Sequence, residues 1–169
     1  MKNSRRSFVK KLAAGAIAAG FIPKQAIAEG KITVLDYERQ VKKFGPNDKI
    51  RVAGIGLGIM GFNNCRTNVK VPGVELVATC DLYDGRLTRS KEVFGNHLFT
   101  TRSYREILDR KDIDAVIIST SDHWHDHIAI AAMQAGKHVY CEKPMVQHLD
   151  EGKAVIEAQQ KTGKVLVVG

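Results

Sequence analysis

The sequence predicts an α/β fold, a doubly wound parallel sheet with helices on both faces. Three observations lead there. Short apolar runs rich in Val and Ile alternate with helix-compatible stretches, the pattern of strands buried on both sides and joined by crossover helices. The first such run, Ile50 to Ile55, passes straight into Gly56-x-Gly58-x-x-Gly61. The second, Val74 to Cys80, ends in Asp81, 20 residues beyond Gly61.

Ahead of the first strand lies a different kind of sequence. Residues 1–28 carry six Lys/Arg and no acid, so the formal charge of +8 is concentrated there, leaving 20 basic against 18 acidic residues in the remainder. No basic stripe with interleaved aromatics survives in that remainder, which sets nucleic acid aside as a partner. Ser4-Arg5-Arg6-Ser7-Phe8-Val9-Lys10 resembles a twin-arginine export signal, with Val9 where the pattern has Leu. The apolar run from Leu12 to Ile22 is 11 residues long. A membrane-spanning helix needs about 20, so the run reads as a signal core and stable membrane insertion is not expected. Ala26-Ile27-Ala28 then offers a small-residue cleavage site. Residues 1–28 are expected to direct export to the periplasm through the twin-arginine machinery. That route carries folded proteins, so a cofactor acquired in the cytoplasm can travel with the chain. Residues 29–48 have no clear period and close on the turn cluster Gly45-Pro46-Asn47-Asp48, and are read as an arm.

Residues 49–169 are expected to form one dinucleotide-binding domain. Strands are expected at 50–55, 74–80, 97–100, 114–119, 137–141 and 164–168, and helices near 60–70, 84–94, 103–110, 124–135 and 149–162. Gly136 and Gly163 stand where helix C-termini favour a left-handed residue, and Ser103 stands at an N-cap position. Each glycine of the first turn has its own task. Gly56 permits the tight strand-to-helix turn, Gly58 lets backbone approach a pyrophosphate, and Gly61 lets the helix pack against the sheet. The backbone of Gly56, Leu57, Gly58, Ile59, Met60 and Gly61 would then cradle the phosphates at a helix N-terminus. Asp81 lies where a carboxylate accepts hydrogen bonds from an adenosine ribose and would repel a 2′-phosphate, so the expected cofactor is NAD rather than NADP, with Arg86 and Arg89 able to soften the preference.

Two further stretches fall at strand exits, where such sheets bind ligands. Thr120-Ser121-Asp122-His123-Trp124-His125-Asp126-His127 holds many potential metal ligands. In a helix, however, residues i and i+2 point apart, and no metal site is expected. Thr120 and Ser121 are small enough to admit the cofactor, Asp122 lies beside them, Trp124 would stack near the nicotinamide, and His125 would cap the helix or face the substrate. The second stretch is Glu142-Lys143-Pro144. Lysine in an exit loop is ordinarily a solvated surface residue. At this edge, Lys143 could hold a substrate hydroxyl and pass its proton, given burial or nearby positive charge. Cys65, Cys80 and Cys141 lack C-x-x-C spacing, and for Cys80 and Cys141 a buried thiol is the expected role.

The glycine loop, Val-Ala-Thr-Cys80-Asp81, Asp112-x-Asp114-Ala-Val, Thr120-x-Asp122-His-Trp124-His125 and Ala-Gly136-Lys-His-Val-x-x-Glu142-Lys143-Pro144 together resemble the Gfo/Idh/MocA oxidoreductases over residues 49–169. The resemblance implies an N-terminal NAD(P)-binding domain of Rossmann type. It also implies a second α/β domain that covers the substrate and mediates oligomerisation. It assigns catalysis to Lys143, cofactor contact to Glu142 and Lys143 among the residues above, and a sugar or polyol as substrate. The Trp124-His125 pair resembles exported members that act on carbohydrates. Ser121 stands where the family usually has proline. The family continues beyond the position of Gly169, so a fragment or truncated gene model is expected. The expected function is the cofactor half of an exported NAD-dependent sugar or polyol oxidoreductase. Two alternatives remain at this point: a glycosidase or lyase working by transient oxidation of a sugar, and a non-catalytic dinucleotide-binding fragment.

Overall fold

The computed structural model describes Gly45 and residues 48–169. The expected export signal and most of the expected arm lie outside the described residues.

Six strands form one parallel sheet: β1 (Ile50–Ile55), β2 (Val74–Cys80), β3 (Phe99–Thr101), β4 (Ala115–Ile118), β5 (His138–Cys141) and β6 (Leu166–Val168). Their spatial order is β3-β2-β1-β4-β5-β6, and every neighbouring pair runs parallel. Strand order therefore reverses between β1 and β4, which opens a crevice beyond their carboxyl ends. Five helices connect the strands: α1 (Ile59–Asn68), α2 (Asp84–Phe94), α3 (Tyr104–Asp109), α4 (His125–Gln134) and α5 (Glu151–Thr162).

The alternation of side chains along each strand divides the core between the two faces. Val52, Leu76 and Ile117 pack with Leu57, Cys65 and Leu87 of the α1 and α2 side. Ala53, Ile55, Val116 and Ile118 pack with Ile107, Ile128, Met133 and Val155 from α3, α4 and α5. A strand buried on both sides has no polar face, which is why these strands read as continuous apolar runs.

At two of the element ends that depart from expectation, local bonds account for the shift. The third strand begins at Phe99 rather than 97 because Gly95 (φ 115°) turns the chain and the Leu98 N–H donates to the Gly95 carbonyl. The helix expected from 124 divides into a 3-10 turn, Asp122–Trp124, and α4 proper. The last helix starts at Glu151, whose carboxylate accepts the N–H groups of Gln147 and His148 and holds them in a turn. Ser103 occupies the N-cap position of α3, but its side chain makes no capping bond. Thr101 ties this turn instead, accepting the Ser103 N–H and donating its hydroxyl to Glu106, both at 3.0 Å. Gly136 (φ 82°) and Gly163 (φ 64°) are left-handed, as expected.

Candidate functional site

The turn from β1 into α1 requires glycine at three positions for three different reasons. Gly56 has φ 86°, and a Cβ there would stand 2.6 Å from the Ser119 carbonyl oxygen. A Cβ on Gly61 would run into the Gly56 carbonyl. Both residues serve packing within the chain. Gly58 differs: its φ of −67° suits any residue, and a Cβ there would have no atom of the chain within 4 Å. The space beside it is open, as a backbone that must admit a pyrophosphate requires. The N-terminus of α1 has no side-chain cap and no acidic residue in its first turn, so its N–H groups and positive dipole end are free for an anion. The residues present fit a dinucleotide. Of the same loop, Leu57 is buried while Ile59 and Met60 are exposed.

Asp81 is built into this turn. Its Oδ2 accepts the Leu57 N–H at 2.7 Å and lies 3.3 Å from Arg86 Nη1. Its Oδ1 accepts the Tyr83 N–H at 2.9 Å. The carboxylate is 8% exposed, and a carboxylate has about four lone-pair positions, so acceptor capacity remains for ribose hydroxyls. The β2 exit and the glycine loop are thus fixed to one another before any ligand arrives.

A cavity of about 590 Å³ opens here, within the usual range for cofactor sites of roughly 300–1,000 Å³, and Gly56, Gly58, Asp81, Thr120, Ser121 and Trp124 contribute to its walls. Tyr104, Arg102 and Arg105 from the β3 exit also line it, which the sequence reading did not anticipate. Trp124 stands with its ring 6.3 Å from that of Tyr104. It therefore belongs to the wall shared with Tyr104, and Lys143 is not part of this cavity. Asp122 is exposed in the 3-10 turn and lines no part of the cavity.

His125 does neither of the two things expected of it. The ring is 1% exposed. Its Nδ1 lies 2.7 Å from the Pro144 carbonyl oxygen and its Nε2 3.1 Å from that of Thr120. As the first residue of α4, its side chain points back along the helix into the gap between the β4 and β5 exits. It joins two loops, and no ring nitrogen remains for a substrate.

Glu142 sits between the same strands and is 8% exposed. Its Oε1 accepts from Asn64 Nδ2 at 2.8 Å and from the Tyr140 hydroxyl at 3.4 Å. Its Oε2 accepts the Lys143 N–H at 3.2 Å. Chiefly because of the Asn64 bond, the carboxyl is held below the ordinary glutamate value. Asn64 also donates to Ser119 Oγ at 3.2 Å, so one amide of α1 touches both the β4 and β5 exits. Asn64 was absent from the sequence reading. Its signal was position, three residues beyond Gly61 and therefore on the helix face that packs against the sheet.

Lys143 follows in the exit loop, with a cis peptide to Pro144. Its side chain is exposed, and the described residues do not supply the burial that proton transfer calls for. Cys80 and Cys141 are buried, as expected. Burial pushes both thiols up to about 12, as it does that of Cys65. Among the described residues no three His, Cys, Asp or Glu side chains group to hold a metal, and no helix is long and apolar enough to cross a membrane.

Comparison with known proteins agrees with this geometry. Residues 50–169 match the family described as an oxidoreductase family with an NAD-binding Rossmann fold, GFO_IDH_MocA. An inositol 2-dehydrogenase of Salmonella paratyphi B is 36% identical over 114 residues, 67% of this chain and 34% of that protein. A glycosyl hydrolase family 109 protein of a Shewanella species is 33% identical over 174 residues, covering 95% of this chain and 38% of that protein. Among solved structures, the WlbA dehydrogenase of Chromobacterium violaceum, crystallised with NADH and UDP-GlcNAcA, superposes with a TM-score of 0.68 at 29% identity, covering 74% of this chain and 36% of that one. The chain spans about a third of the length of the curated relatives it matches.

Proposed function

The chain belongs to the Gfo/Idh/MocA oxidoreductase family, and on that footing we propose that it is the cofactor half of an NAD-dependent sugar or polyol oxidoreductase. The observation that carries this reading is the pairing of Asp81 with the Leu57 N–H across an open Gly58. That arrangement gives an adenosine ribose its acceptor and a pyrophosphate its space. The cofactor, when bound, gives or accepts a hydride at the nicotinamide ring. The chain's own residues hold the dinucleotide across the β1–β4 crevice and present Lys143 beyond the β5 exit. Lys143 holds the hydroxyl of a secondary alcohol and takes or returns its proton as the carbon is oxidised or its carbonyl reduced. Glu142 and His125 are positioning residues for that loop. A further domain closing over Lys143 would complete the site and carry a homo-oligomeric interface.

Residues 1–28 are proposed to send the folded protein, cofactor included, out through the twin-arginine route. Their support is the Arg5-Arg6 motif followed by a short apolar run. The substrate proposal is tested in the full-length protein by adding sugars and polyols in single turnover and following nicotinamide absorbance. Reduction of bound cofactor by one of them is expected; none responding would refute the dehydrogenase reading.

A second reading has one observation in its favour. The Shewanella glycosyl hydrolase relatives align over 95% of the chain, against 67% for the inositol dehydrogenases. In that reading a sugar carbon is oxidised transiently, the glycoside is eliminated and the carbon is reduced again. Release of a free leaving group with no net change in cofactor redox state distinguishes it.

A further inference from the structure

Lys143 carries an exposed side chain on a backbone held at both flanks. On one flank the Pro144 carbonyl oxygen lies 2.7 Å from His125 Nδ1. On the other the Lys143 N–H donates to Glu142 Oε2 at 3.2 Å. Glu142 is buried, and among the described residues it makes no ion pair. A buried carboxylate without a cationic partner stays charged only where hydrogen bonds hold it. Its donors are unequal: Asn64 Nδ2 at 2.8 Å, the Lys143 N–H at 3.2 Å and the Tyr140 hydroxyl at 3.4 Å. The one short bond comes from Asn64.

Geometry gives that bond its reach. A carboxylate is rigid, so holding Oε1 holds the direction of Oε2, the oxygen that accepts the Lys143 N–H. Asn64 is fixed in turn by a second contact, from Nδ2 to Ser119 Oγ at 3.2 Å. The two hydrogens of one amide nitrogen serve the two acceptors, and turning the amide over would set its oxygen against the Glu142 carboxylate. Ser119 lines the large cavity, and its N–H donates to the Ile55 carbonyl at 2.8 Å. Asn64 itself stands on α1, about 9 Å along the helix from Gly58. The helix that opens at the glycine turn therefore also carries the group that holds the lysine's loop.

We propose that Asn64 is a positioning residue for Lys143, holding the lysine's backbone through Glu142 and tying that loop through Ser119 to the wall of the large cavity. Proton transfer stays with Lys143; Asn64 sets where its ammonium stands. The proposal rests on the dehydrogenase reading and adds a residue to it.

The test takes the NAD-loaded full-length protein and the variants Asn64→Leu, Glu142→Ala and both together. Leucine keeps the shape of the side chain, suits a helix and removes both donors; Asn64→Ala replaces it if the leucine variant does not fold. Single-turnover reduction of bound NAD, by the sugar or polyol active with the parent, should slow about tenfold or more, since small misplacements of a reacting group are costly. NAD affinity should stay within about threefold. In the Glu142→Ala background the same change should slow reduction by less than about threefold, because the two residues act in one chain of contacts. Amide hydrogen exchange reads the loop directly. The Gly56 N–H, bound to the Cys80 carbonyl at 2.8 Å, serves as the reference. Relative to it, the Lys143 amide should exchange at least about tenfold faster in Asn64→Leu. Unchanged reduction, slowing that persists in full without Glu142, or equal acceleration of the two amides would overturn the proposal. If NAD binds and no sugar or polyol reduces it, the dehydrogenase reading fails, and the exchange ratio alone decides whether Asn64 holds the lysine's loop.

Discussion

His125 Nδ1 lies 2.7 Å from the carbonyl oxygen of Pro144, 19 residues further along the chain. That contact joins the exit loop of β4 to the exit loop of β5, and the other ring nitrogen faces Thr120. A neutral imidazole has one N–H to donate, to one of these two part-buried carbonyls; replacing the ring with leucine keeps an apolar filler but removes that hydrogen bond. Loss of one such hydrogen bond costs about 0.5–1.5 kcal/mol. His125→Leu should therefore lower the denaturant midpoint by an amount in that range. In the full-length protein it should also slow hydride transfer more than it weakens NAD binding, because the loop it releases carries Lys143 rather than the glycine turn. An unchanged midpoint would show that the His125 contacts carry no weight.

The bond from Asn64 to Glu142 makes a statement about pH. Glu142 is held below the ordinary glutamate value chiefly by that bond. A carboxyl depressed in the folded state stabilises the fold above its unfolded value, and this contribution is lost as pH falls through the lower, folded value. In Asn64→Ala the largest depressing influence is gone, so Glu142 should protonate at a higher pH. The variant should be less stable at neutral pH, and its stability should fall less steeply than the parent's as pH drops through the carboxylate range. The two stability curves should converge once both carboxyls are protonated. Urea midpoints measured from neutral pH down through the carboxylate range check this. Parallel curves with a constant offset would assign Asn64 a packing role alone.

The lysine makes a kinetic prediction. Lys143→Met preserves stem length and removes the ammonium. Its side chain is exposed, so the fold and NAD occupancy should persist. Loss of a positioned proton-transfer group costs about 10²–10⁴-fold in rate. Single-turnover reduction of bound cofactor in the full-length protein should slow by that factor. Normal reduction would make Lys143 a bystander, and loss of the cofactor would make it a binding residue.

The fold was legible because strands buried on both faces cannot hide their apolar content and because glycines mark the start of α1 at Gly58 and the ends of α2 and α5 at Gly95 and Gly163. The site was legible where a residue acts through its backbone or its place on the sheet. Gly56, Gly61 and Asp81 belong here: steric space and a β2 exit decide their roles, and both can be read from spacing. It was less legible where a side chain reaches across the sheet. His125 reads as a ligand-facing residue because nothing local says that Pro144 lies above it, and Asn64 reads as an ordinary helix residue because Glu142 is 78 positions away. Lys143 is a different case: it is exposed in its exit loop, and its side chain makes no hydrogen bond among the described residues that sequence spacing could have revealed.

Gly58 isolates the central claim. Alanine is sterically free there, with φ −67° and no chain atom near the new methyl, so Gly58→Ala should stay within about 1 kcal/mol of the parent in stability. The same methyl would stand where a pyrophosphate must approach the backbone. Crowding of that kind costs about 1–3 kcal/mol, or roughly tenfold in affinity for each 1.4 kcal/mol. The measurement is calorimetric binding of NAD to the parent and to Gly58→Ala, alongside their thermal midpoints. The account predicts nearly equal midpoints and at least about fivefold weaker NAD binding in the variant; equal affinities would contradict it.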